Sequence, residues 1–300
     1  MTEMPEKRSL RERGAAARTR GLELRDQLEG QRPLHASVDV GFRWLLRDKD
    51  IAGGVLGGGL AYRFFFWILA LSVLLAGGLG FASASGADVV GDARNVGIAK
   101  SLASTIGTAS KESETGRWWL LVTGLFLFAW FSFGLLRALR LVSAAAWRVP
   151  LPPLRNAPKG LIVVAASPLV VLALTALAGW IREHSARPLG SLATILLGAL
   201  FGGVWLWISM KLPAAPGTTW TAFIPGAVVF AVGVEALHLF SVYYLQTKLE
   251  NANELYGVLG LATTALFYFF LIGRGVVWSA ELNAVVWEAR TGLPRPETQV

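Results

Sequence analysis

Two apolar runs, Leu161–Ile181 and Leu192–Met210, carry no charged residue over a length that can cross a bilayer. A hydrocarbon core of about 30 Å takes about 20 helical residues. A water-soluble fold has no means of hiding several such runs whole. The rest of the chain agrees: 54% of its residues are hydrophobic and 16% charged, where an ordinary soluble domain is about 25% charged. The class that follows is an all-α, polytopic membrane helix bundle.

About six spans are expected, and 51–290 is read as the transmembrane domain. The first runs from Ile51 to Phe81. The second covers Trp118–Leu136 and continues as helix through Arg137 and Arg140 to Trp147. The third is Leu161–Ile181, kinked at Pro168, and the fourth Leu192–Met210. The fifth is Phe223–Tyr244 and the sixth Tyr256–Trp287. The proline-bearing stretches Val149–Pro158 and Lys211–Thr219 read as loops, and Gln246–Glu254 as a polar connector. The Gly/Ser/Ala-rich stretch 82–116 reads as an extracytoplasmic excursion. Trp118, Trp119, Trp180, Trp220 and Trp287 fall near predicted span ends, where interfacial aromatics belong.

Residues 1–33 form a basic arm with too little apolar content to pack, expected to be disordered. Residues 34–50 repeat Leu34, Val38, Phe42 and Leu45 at helical spacing. That pattern suits an amphipathic helix on the membrane surface or one packed on the bundle. No cleavable leader is apparent, so the segment from Ile51 serves as an uncleaved anchor. With the N-terminus inside, Arg137, Arg140, Arg148, Arg155, Lys159, Lys211, Arg290 and Arg295 also fall inside. Fewer lie opposite: Arg94, Lys100, Lys111, Arg117, Arg182, Arg187 and Lys248. The positive-inside rule then places both termini, including the tail 291–300, in the cytoplasm.

The net charge of +8 is concentrated in the N-terminal arm. Beside a membrane span it points to anionic lipid headgroups rather than nucleic acid. The absence of cysteine removes disulfides and thiolate sites. No Walker motif or metal-ligand cluster occurs, and the histidines (His35, His184, His238) are scattered. No metal, cofactor or enzymatic activity is expected.

Ionisable residues deep in a span cost about 2.5–3.5 kcal/mol on insertion scales and face a partner or a cavity. The candidate polar cavity comprises Arg63, Glu235, His238, Arg274, Glu281 and Asn283. Glu235 and His238 are three apart, on one helix face. Arg274 and Glu281 are seven apart, two turns along one face, with Asn283 at its border. Glu235 is the expected interhelical partner of Arg274. Two readings stay open: ion pairs that fix packing, or a cavity for an anionic headgroup or a coupled proton. Gly53, Gly54, Gly57, Gly58 and Gly59, with Gly198 and Gly202, are spaced for close helix approach.

The run Tyr256–Ala284 resembles the closing signature of the YihY/BrkB family of bacterial membrane proteins. That signature has a Tyr-Gly opening, a long apolar helix and an ending close to Gly-Ala-Glu-Leu-Asn-Ala. The ending here is Ser279-Ala280-Glu281-Leu282-Asn283-Ala284, with serine in place of glycine. Leu60-Ala61-Tyr62 resembles the family's first span, though Arg63 and a phenylalanine run follow. Trp130 with Arg137 and Leu139 resembles the second span, and Trp220 with Pro225-Gly226-Ala227 the fifth. The resemblance implies an inner-membrane bundle of about six helices with an envelope function. Members have been labelled virulence or serum-resistance factors and, once, a tRNA-processing ribonuclease. No carboxylate pair here is placed for metal-dependent phosphodiester cleavage. The function expected is a non-ATP-driven transporter or lipid-handling protein of the envelope. The alternative is a membrane scaffold or regulatory protein with no transport activity, and a homo-oligomer is among the assemblies the sequence leaves open.

Reporter fusions at Pro152, Pro216 and Val300 are expected to read cytoplasmic, and fusions at Ser104, Ser185 and Asn251 external. A cytoplasmic reading at Ser185 would sink the six-span order.

Overall fold

The computed structural model describes residues 19, 36–84, 117–153, 159–170, 173, 187–240 and 246–292. Among the described residues all regular structure is helical. In chain order the helices are α1 (Ala36–Asp50), α2 (Gly53–Ala84), α3 (Arg117–Trp147), α4 (Lys159–Val170), α5 (Arg187–Ser209), α6 (Ile224–Phe240) and α7 (Gln246–Thr291). A 3-10 turn, Trp220–Phe223, leads into α6. Among the described residues four stretches are long and apolar enough to cross a membrane: Gly53–Gly78, Trp118–Trp147, Trp220–Leu237 and Ala262–Thr291. The expected excursion at 82–116 lies almost wholly outside the described residues, as does the second half of the expected third span.

Two compact units divide at Arg47/Asp48. In the first, α1 carries an i,i+4 ion pair, with Arg43 Nε 2.6 Å from Asp39 Oδ2. The second contains the bundle. Its first helices, α2 and α3, run antiparallel, because Gly77 meets Leu121, Gly124 meets Leu74 and Trp67 bonds Ser132. The first two contacts are backbone to backbone. A Cβ on Gly77 would lie 2.7 Å from Leu121 N, and one on Gly124 2.7 Å from Leu74 Cα. Between two apolar helices in lipid, this approach is the source of adhesion, because hydrocarbon outside is as apolar as leucine inside.

Helix α7 packs against α2, α3 and α6 and so sits at the centre. It is continuous over 46 residues, about 69 Å at 1.5 Å per residue, well over twice what a span requires. The polar stretch Gln246–Glu254, expected as a connector, is instead the first part of this helix. It contains no proline or glycine to end a helix. The α2–α7 crossing is made at Gly57 and Gly273, where a Cβ on Gly273 would stand 2.5 Å from Gly57 O. A Cβ on Gly202 of α5 would lie 3.1 Å from the Ala231 side chain of α6, whereas one on Gly198, Gly54, Gly58 or Gly59 would meet nothing within 4 Å. Only some of the glycines spaced for close approach serve it.

The C-terminal end of α3 closes in a Schellman motif. Val149 N–H donates to Ala144 O (3.0 Å) and Arg148 N–H to Ala145 O (3.2 Å). The left-handed position belongs to Arg148 (φ 51°) rather than to a glycine, and its guanidinium bonds Asp50 Oδ2 at 2.8 Å. Trp147 meets Phe223 and Trp287 at centroid separations of 5.6 and 5.8 Å. The ends of α3 and α7 and the start of α6 therefore share one end of the bundle.

Gly273→Ala is expected to lower the stability of the detergent-solubilised protein by about 1–3 kcal/mol through overpacking. Gly58→Ala should be neutral or stabilising by about 1 kcal/mol, since it adds helix propensity in open space. Thermal unfolding of the two variants beside the wild type checks both. Equal losses would refute the assignment of Gly273 to the crossing.

Candidate functional site

Arg274 projects from α7 at the α2 crossing. A Cβ on Gly57 would lie 2.8 Å from Arg274 Cδ, and one on Gly53 3.0 Å from Arg274 Nη1. Two glycines one turn apart thus form a trough in α2 that the arginine stem occupies. The trough leads to Asp48 at the end of α1, just before the turn in which Ala52 takes φ 51°. The pair is bidentate: Nη1 donates to Oδ1 at 2.8 Å and Nη2 to Oδ2 at 3.0 Å. Its side chains keep 14% and 24% of their exposure. The guanidinium also lies 4.8 Å from the Trp278 ring centroid, a cation–π contact.

This corrects the expected partner. Asp48, and not Glu235, neutralises Arg274, because the glycine trough directs the stem toward the α1–α2 junction. Glu235 lies half-buried in α6, and it makes no hydrogen bond or ion pair among the described residues. His238 also belongs to α6, but its side chain lies outside the described residues.

Below Arg274, toward the shared end, α7 buries three polar side chains: Ser279, Glu281 and Asn283. Ser279 and Asn283, four apart, present one face. Ser279 Oγ accepts the Trp205 indole N–H of α5 at 2.6 Å. Asn283 Oδ1 accepts the Gly226 N–H at 2.7 Å. Gly226 is the third residue of α6, where backbone N–H groups have no partner within the helix, and Pro225 before it has none to offer. Asn283 therefore caps α6 from another helix. Only glycine fits at 226, since a Cβ would strike the Ser279 carbonyl and the Asn283 amide. Glu281, wholly buried, is turned about 200° from both neighbours at 100° per residue. The expected single stripe is therefore two faces, Arg274 with Glu281 and Ser279 with Asn283.

A cavity of about 10 Å³ opens beside the second face, between Ser143, Ser209, Trp205, Trp147, Phe223 and Asn283. That is about the space of one water molecule. Of the six candidate residues it includes Asn283 alone. Loop contacts close the same end: Ser143 Oγ donates to Pro213 O (2.7 Å) and Arg140 Nη2 to Pro152 O (2.9 Å). Arg63 stands apart. It is exposed on α2, and its guanidinium lies over Gly134 of α3, where a Cβ would meet Nη1 at 2.7 Å. Sequence reasoning missed Asp48, Ser132 and the two tryptophan donors. Asp48 had one available signal, a carboxylate five residues before a glycine-rich span start.

A family model described as Virulence factor BrkB matches residues 49–299. The match takes in every helix from α2 onward and the Asp50–Arg148 bridge. No curated protein and no solved structure matches the chain.

Removing one partner of the Asp48–Arg274 pair should destabilise the fold by about 3 kcal/mol, the lower end for a broken buried pair because both groups keep some solvent. Arg274→Met with Asp48→Leu should recover most of that loss. Denaturation of the two single variants and the double variant forms the cycle. Additive losses would show that the pair carries no coupling.

Proposed function

The chain belongs to the BrkB virulence-factor family, and on that premise we propose that it works as a non-ATP-driven transporter or lipid-handling protein of the bacterial inner membrane. In this reading it crosses the bilayer about six times, with both termini in the cytoplasm. It is an integral membrane protein with long apolar helices. Helices α4 and α5 complete the six spans, since both begin or end within apolar runs of bilayer length. The basic arm 1–33 engages anionic headgroups beside the first span.

One observation carries the reading: an ion pair and a buried carboxylate share one face of the central helix. Arg274 is held by Asp48 across two glycines, and Glu281 lies two turns away with no exposure. Ionisable residues inside membrane segments are costly to keep there and mark ion paths, substrate paths and proton relays in membrane proteins. The 10 Å³ cavity at Asn283 corresponds to a closed arrangement. A scaffold role is the second reading. Its support is that Asn283, Ser279 and Arg274 already have partners inside the protein. No chemical reaction is proposed.

The wild type, reconstituted in vesicles, is expected to speed the passage of an anionic lipid or small anionic solute over protein-free vesicles. A folded Asp48→Leu/Arg274→Met variant should lose that acceleration. Flux equal to empty vesicles for fluorescent phospholipids and for small anions alike would favour the scaffold.

A further inference from the structure

Three uncharged runs begin at one level of the bundle, each beside a cation. In α2, residues 64–84 carry no charge and Arg63 precedes them. In α3, Trp118–Leu136 carries none and Arg137 follows. In the sequence from α4 onward, 160–181 carries none and Lys159 precedes it. Contacts bring α2 and α4 to the same two turns of α3, with Arg137 between them. Arg63 lies on Gly134 of α3, and Gly160 of α4 meets the Leu136 side chain, where a Cβ would be 3.1 Å away. On the α3 surface Gly134 and Leu136 are about 160° apart. Arg137 falls between them, about 60° from the first and 100° from the second. Helical side chains also lean back over the preceding turn, which brings Arg137 onto the strip where Arg63 already lies.

All three cations are exposed, and none makes a hydrogen bond or ion pair among the described residues. The sequences of α2, α3 and α4 contain no aspartate or glutamate. Directly beyond Arg137 on the same α3 face stand Phe133, Trp130 and Phe126, at 45%, 67% and 65% exposure. Phe126 and Trp130 stack at 6.3 Å. An aromatic strip thus climbs along the hydrocarbon-length run from cations that meet no carboxylate among the described residues.

From this placement we infer a binding site for an anionic phospholipid on the outer face of α2, α3 and α4. The lipid phosphate sits among Arg63, Arg137 and Lys159, and an acyl chain follows Phe133, Trp130 and Phe126. Gly134 is part of the site, because its missing side chain leaves room for the Arg63 guanidinium against α3. Charge complementarity identifies the occupant. Three cations at the end of bilayer-length apolar runs meet the headgroup layer, and the aromatic strip continues where acyl chains run. Arginine suits the task, since its planar fork grips phosphate oxygens two at a time. The site depends on the chain being embedded in a membrane and not on whether it moves lipid or solute, so it stands or falls apart from transport.

The test uses the full chain purified in detergent, with bound lipid counted by native mass spectrometry. Phosphatidylglycerol and phosphatidylcholine of the same acyl composition are added in equal excess. The wild type should retain phosphatidylglycerol preferentially, and R63Q/R137Q/K159Q should lose about fivefold of that preference per cation removed. R137Q alone, a surface change, should lose about fivefold and keeps the test open if the triple variant does not fold. Neutralising Arg11, Arg13, Arg18 and Arg20 of the basic arm should leave the preference in place. An unchanged preference in R137Q or the triple variant overturns the site. So does its loss in the arm variant. Displacement of the lipid by inorganic phosphate alone would assign the cations to a free oxyanion instead.

Discussion

Helices in hydrocarbon gain nothing by hiding leucine from lipid, so whatever holds this bundle together must act at short range. The structure answers with two devices, backbone approach at glycine and tryptophan–serine hydrogen bonds. Gly77 and Gly124 bring α2 and α3 within backbone contact, and Gly57 with Gly273 does the same for α2 and α7. Trp67 to Ser132 ties α2 to α3, and Trp205 to Ser279 ties α5 to α7. In each bond a large side chain fills the gap between helices while its one polar atom finds a buried acceptor, as a buried indole N–H must. Every such contact fixes rotation as well as distance, since a turn of 100° would withdraw the donor.

That short-range logic explains what the sequence could reveal and what it could not. Apolar runs depend on the solvent, and so the long spans of α2, α3, α6 and α7 were legible from composition alone. Glycine spacing was legible as a category, though not by position: Gly57 and Gly202 make contacts, while Gly54, Gly58 and Gly198 face open space. The partner of Arg274 was not legible. Asp48 is 226 positions away and belongs to a stretch whose periodicity reads as a surface helix, whereas Glu235 lies in an apolar span where an acid seemed to demand a base. A one-dimensional pattern shows that a buried charge needs a partner. Only the α2–α7 crossing shows which way the arginine stem can run.

The residues that carry the family resemblance meet in space. Pro225-Gly226 of the fifth expected span and Asn283 of the closing signature are 57 positions apart, yet one amide of the first is capped by the side chain of the second. Gly226 admits no side chain because Ser279 and Asn283 occupy that space. The two motifs are therefore halves of one joint between α6 and α7. Ser279, standing where the family's ending has glycine, adds a donor–acceptor contact that glycine cannot make, with Trp205 of α5. In this chain the joint thereby engages three helices rather than two.

Charges in the bundle divide by whether the protein itself satisfies them. Arg274 and Arg148 are matched by Asp48 and Asp50, both at the junction of α1 and α2, where the chain reverses into the membrane span. These acids keep partial access to solvent, so the pairs avoid most of the desolvation that weakens deep salt bridges. Arg63, Arg137 and Lys159 have no such acid on their helices. A guanidinium held by a bidentate carboxylate has most of its directed hydrogen-bonding capacity engaged, and a ligand must break that pair to recruit it. An unmatched cation beside a hydrocarbon-length run keeps its full capacity, and in a bilayer the anion most abundant at that level is the lipid phosphate. The interior charges therefore set how α2 and α7 are joined, and the outward ones are the groups of the lipid site inferred above.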